Sequence, residues 1–180
     1  MAKTMKYIFG ILISLILLTG FLCKDLLKAT FSGSYEIEFE VSSEQGSHGV
    51  FLGNYTSQRE RLRAANMIVV TSNEVIVSVT YPLNSPANIE VKSDYGFTRI
   101  QLVDAIYETY QRVYSEEEET SDISVIPIGE RMEKIGLINR NTTNGKYRIW
   151  GHDLQDLVLE GAHVYKHEDG SVQVNLYVGS

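Results

Sequence analysis

The sequence predicts an α+β domain, a mostly antiparallel sheet packed by one principal helix at about residues 98–115, preceded by an N-terminal hydrophobic helix. Three observations lead there. Residues 35–41 alternate apolar and acidic side chains without a break. Residues 98–114 repeat apolar side chains at three- and four-residue spacing, and the C-terminal part holds two apolar runs around a turn signal. Period two marks a half-exposed strand and period 3.6 an amphipathic helix, and a mixture without βαβ alternation points to α+β.

The elements follow in order. Over residues 35–41, Tyr35, Ile37, Phe39 and Val41 share one face and Glu36, Glu38 and Glu40 the other. Residues 42–49 read as a polar loop and 57–65, rich in helix formers, as a short helix. The β-branched runs 67–70 and 74–81, joined by Thr71, Ser72 and Asn73, predict a hairpin. Pro82 and Pro86 end pairing, and residues 89–92 form a further short strand.

Thr98, with Gln101 three residues later, is a capping box and opens the principal helix. Ile100, Val103, Ile106, Tyr107, Tyr110, Val113 and Tyr114 form its apolar face. A turn or short helix is expected over 129–135 and a polar loop over 139–146. Residues 157–165 and 172–178 pair around Glu168, Asp169, Gly170 and Ser171, and the last strand completes the sheet.

The N-terminus says where such a domain works. Lys3 and Lys6 precede an uncharged apolar run over 7–22, which Lys24 and Asp25 close. Residues 1–24 thus read as a signal peptide or membrane anchor, 25–34 as a connector and 35–180 as a single domain. The flank lacks clean small residues for cleavage, and Leu22 before Cys23 argues against a lipoprotein signal. The run is a little shorter than the ~20 residues of a typical span, which flanking lysines can make up. An uncleaved anchor leads over a cleaved signal and a buried soluble helix. The bulk of the chain is expected outside the cytoplasm.

Cys23 is the only cysteine, so no intramolecular disulfide exists and the core alone must hold the domain. Asn54 and Asn141 stand in glycosylation sequons, which matter only in a eukaryotic secretory route. All 23 acidic residues and 13 of the 16 basic ones lie from Asp25 onward, a net charge of −10. Such a surface repels phosphate backbones and argues against nucleic-acid binding. The expected partners are a membrane, through the N-terminal segment, and a protein.

Five features bear on chemistry. His152 beside Asp153, with Asp156 one turn on, could form a proton carrier with an orienting carboxylate. The structural reading makes Trp150 a core plug, Gly151 a bend and Asp153 a cap for a short turn through Asp156. Glu116, Glu117, Glu118 and Glu119 follow the helix, where negative charge opposes the dipole. They lie in a solvated loop, or Arg131, Lys134 or Arg140 compensates them, or they receive a divalent cation or a basic partner.

Tyr107, Tyr110 and Tyr114, with Trp150, could line a ligand groove, though a tyrosine stripe is usually core with its hydroxyls at the rim. His163 and His167 have a zinc spacing only on a helix, and their strand context separates them by ~13 Å. Ser47 and His48 sit in a glycine-flanked loop with no acid to complete a triad. G-x-S-x-G, P-loop, G-x-G-x-x-G, H-E-x-x-H and EF-hand signatures are absent, so no cofactor is expected.

Three functions remain in order. The first is a membrane-anchored or exported, non-enzymatic interaction or ligand-binding domain. The second is a small hydrolase or metal-assisted enzyme centred on His152, Asp153 and Asp156. The third is a cytosolic interaction protein with a buried N-terminal helix.

Overall fold

The computed structural model describes residues 33–134 and 138–180. The expected signal peptide or anchor, its helix and Cys23 lie outside the described residues. Strands β1 (Ser34–Glu38), β2 (Val41–Ser43), β3 (Gly46–His48) and β4 (Val50–Phe51) lead into a short helix α1 (Tyr55–Gln58). Strands β5 (Ile68–Val70), β6 (Glu74–Val79), β7 (Ala87–Lys92) and β8 (Phe97–Thr98) follow, then helices α2 (Arg99–Thr120) and α3 (Ile128–Lys134). Strands β9 (Val158–Lys166) and β10 (Val172–Gly179) end the fold.

The main sheet runs β1-β9-β10-β6-β7, with β4 pairing β9 beyond the end of β1. Every pairing in it is antiparallel except β10 with β6. Mixed α+β with a mostly antiparallel sheet and one main helix is therefore the observed class. Val75, Val77, Ile89, Val164 and Val174 point to one face, where Val103, Ile106 and Tyr110 of α2 join them in a single core. The opposite face stays polar. A row of Glu36, His163, Asn175, Ser78 and Asn88 crosses it strand by strand.

The α2 cap forms as expected: the Thr98 N–H donates to Gln101 Oε1 at 2.9 Å. Alternation along 35–41 also holds, with Ile37, Phe39 and Val41 buried, although regular pairing with β9 stops after Glu38.

Several expectations are corrected. Residues 67–81 do not form a hairpin: β5 pairs β8, and β6 pairs β7 through six residue pairs. Both edges of β6 are occupied, by β7 and β10, so β5 has no edge there to join. Residues 42–49 are not an open loop but the β2–β3 hairpin, turned at Gly46 with φ +124°. Helix 57–65 shrinks to α1 and one 3-10 turn over Arg59–Arg61, since Leu62 turns inward to bridge Val41. The last strand does complete the sheet, from its middle, where β10 joins β9 to β6.

Helix α2 does not stop near Ser115 but runs to Thr120, taking the four glutamates with it. Among the described residues no helix is long and apolar enough to cross a membrane.

Candidate functional site

The residues around His152 are occupied with one another. Asp153 pairs with the buried Arg131 guanidinium, and Asp156 Oδ2 accepts the Asp153 N–H at 2.9 Å, closing a 3-10 turn. The His152 ring bonds to neither carboxylate: it lies 5.3 Å from Tyr81 and 5.6 Å from Trp150, with Nε2 3.5 Å from Ser180 Oγ. Trp150 is not a core plug. It is 36 % exposed and packs edge-on against Tyr81, because Ile149 takes the buried position.

The tyrosines of α2 face the core. Tyr110 is fully buried and donates to the Tyr81 carbonyl at 2.8 Å. Tyr114 donates to the His152 carbonyl at 2.9 Å beneath the Arg140 guanidinium. Burial raises both phenol pKa values above the ordinary range. Tyr107 lies half-buried against Tyr55. The three do not converge on an open groove.

The glutamate run is an anchor for the following loop. Glu117 has no exposed surface, and its carboxylate accepts four hydrogen bonds. Thr143 Oγ1 (2.6 Å) and Gly145 N (2.9 Å) reach Oε1, while Tyr147 N (2.6 Å) and Arg148 N (3.0 Å) reach Oε2. Burial pushes its pKa up, but these donors outweigh it and hold the carboxyl below its ordinary value.

Glu116 pairs with Lys146 at 2.6 Å and accepts from the Tyr147 hydroxyl, and these two lower its pKa. Arg140 lies 3.7 Å from Glu118, and Ser115 donates to Glu119. Compensation within the chain is thus the observed arrangement, led by Lys146 rather than Arg131; the Lys134 side chain lies outside the described residues. No three His, Cys, Asp or Glu side chains among the described residues converge as metal ligands.

His163 stands mid-strand on β9, and His167, past its end, meets Gln173 Oε1 at 3.1 Å. His48 Nδ1 lies 2.7 Å from its neighbour's carbonyl, Gly49 O.

The open surface lies elsewhere, in a cleft between β1 and β5. Tyr35 crosses it, donating its hydroxyl to the Val69 carbonyl at 2.7 Å, and divides it into two lobes. The larger lobe, about 690 Å³, has Tyr35, Val70, Val164 and Val172 as apolar walls, with Ser72 and Lys166 among its polar groups. That volume falls in the ~300–1,000 Å³ range of small-molecule sites. The smaller lobe, about 410 Å³, lies between Glu36 and Glu38 on one side and Met67, Ile68 and Arg99 on the other. Gly33, at the N-terminal end of β1, is among the residues lining the larger lobe.

The sequence reading missed this cleft because it assigned 67–70 to a hairpin with 74–81, which would have hidden its far wall. No local signal marks it, since Met67 and Ile68 read as ordinary strand residues and only the fold leaves them 51 % and 61 % exposed.

No family model, curated protein or solved structure matches the chain.

Proposed function

We propose that the chain is a non-enzymatic binding domain, anchored to or exported across a membrane by residues 1–24, whose ligand surface is the cleft between β1 and β5. The observation that carries this is the cleft itself: an open, largely apolar lobe with a few polar residues, Ser72 and Lys166 among them, in its lining. Ligand sites combine apolar walls with a few polar groups that fix orientation. By contrast, Asp153, Asp156 and Glu117 spend their oxygen atoms on internal bonds, so they support structure more than chemistry.

The tether bears on the ligand. Ten residues separate Leu22 from Gly33. Even fully extended they span at most ~40 Å, which keeps the cleft near an anchored membrane surface. An apolar, membrane-derived molecule suits that position.

Two measurements test the proposal on the full chain in its own membranes. Protease added outside intact cells should release peptides of α2; protection until the membrane is opened, with the chain in the soluble fraction, refutes export. A diazirine-bearing fatty-acid probe should label residues 70–72 and 164–166. Thr71→Trp, at the exposed lip, should cut that labelling about tenfold without altering the melting temperature. Labelling elsewhere, or insensitivity to the tryptophan, refutes the cleft as the ligand surface.

A further inference from the structure

The edge of β1 points to a more specific partner. Among the described residues, β1 is the terminal strand of its sheet and pairs with β9 alone. Two bonds set its phase: Lys166 N donates to Gly33 O, and Phe39 N donates to Glu160 O at 2.8 Å. In an antiparallel ladder, every second residue exchanges bonds with its neighbour and the residues between turn their N–H and C=O the other way. Gly33, Tyr35, Ile37 and Phe39 therefore face β9; Ser34, at the larger lobe, and Glu36, Glu38 and Glu40, at the smaller one, turn their backbone the other way.

The Glu40 carbonyl is taken by the Arg63 N–H at 2.8 Å, which closes one end, and the Tyr35 crossbar closes the other. Between them, among the described residues, no hydrogen bond engages the backbone groups of Glu36 or Glu38. Natural proteins normally blunt or cover such an edge.

We propose that this edge accepts a short extended segment in which basic and apolar residues alternate, added as a strand beside β1. The proposal rests on the reading of the β1–β5 cleft as the ligand surface and names a partner class for its smaller lobe. Strand addition takes its affinity from main-chain bonds and its specificity from alternate side chains. On the outer face the added residues would stand directly across from Glu36 and Glu38, whose carboxylates favour Lys or Arg there. On the inner face they would meet Tyr35, Ile37 and the apolar wall at Met67 and Ile68. A second copy of this chain fits poorly, because β1 against β1 brings the same carboxylates together, and like charges directly opposite destabilise a pair.

The test uses the full chain and two synthetic peptides, one of alternating Lys and Val and one of alternating Glu and Val, with hydrogen exchange read at residues 34–40. The Lys-Val peptide should slow exchange of the Glu36 and Glu38 amides about tenfold, and the Glu-Val peptide should leave it unchanged. The double variant Glu36→Lys, Glu38→Lys should reverse that preference.

Three results overturn the proposal: no slowing by Lys-Val with the chain folded, equal slowing by both peptides, or amides already protected in the free chain. The last would mean that the edge is covered by the chain's own N-terminal segment or by a second copy. Continued fatty-acid labelling of the larger lobe in any of these cases leaves the cleft reading standing, and loss of both signals removes both.

Discussion

Replacing Glu117 by Gln exchanges one oxygen for an NH2 group at the most enclosed ionised group described in this chain. Its two carboxylate oxygens accept from Thr143, Gly145, Tyr147 and Arg148. A carboxamide has one acceptor oxygen, and its NH2 must face donors in either orientation. With NH2 toward Gly145 and Thr143, the hydroxyl can rotate to accept, but the Gly145 N–H is orphaned. With NH2 toward Tyr147 and Arg148, two backbone donors lose their partner.

The first orientation costs less. One unsatisfied buried donor costs about 1–3 kcal/mol, and losing the charge assistance at the remaining bonds adds to it, so the variant should lose about 2–4 kcal/mol. The lowered pKa of Glu117 supports the sign, since it means the fold prefers the charged group to the neutral one. Urea unfolding of the full chain followed by circular dichroism measures the difference. The pH dependence adds a second check. A carboxyl with a depressed folded pKa contributes stability above its ordinary value of 4.5 and loses it as pH falls through the folded value. The gap between wild type and Glu117→Gln should therefore shrink below about pH 4.5. A loss under about 0.5 kcal/mol at pH 7, or a gap that does not change with acid, would refute the anchor reasoning.

Two further substitutions and one control probe the frame of the fold. Gly161→Ala places a methyl 2.5 Å from the Ile37 carbonyl, where β1 and β9 approach closely, and should lower the urea midpoint by an amount equivalent to about 1–3 kcal/mol. Gly129→Ala, with no atom within 4 Å of the added carbon, is the control and should show no loss. Tyr110→Phe removes the bond to the Tyr81 carbonyl and should cost about 1 kcal/mol in the same assay; an unchanged midpoint would mean that this bond is not holding α2 to the β6–β7 connection.

Much of the frame was legible locally. Thr98 and Gln101 specify the start of α2 because both halves of the capping box lie within one turn. The alternation along 35–41 reports which side chains face the core because a strand's period is fixed by its own backbone. The β9–β10 hairpin is written in its turn, where Gly170 adopts φ +90°.

Partner choice was not local. The β-branched runs 67–70 and 74–79 look alike, and only the filling of both edges of β6 sends β5 to β8 and opens the cleft beside β1. The end of α2 was hidden for the same reason. Four consecutive glutamates read as a solvated run until the chain, 28 to 31 residues later, returns backbone donors to Glu117. Sequence alone determined the periods, caps, turns and the charge of this domain, because each is set by neighbours along the chain. Tertiary structure decided which edges stay open and which charges become buried, because both depend on segments far apart in sequence meeting in space.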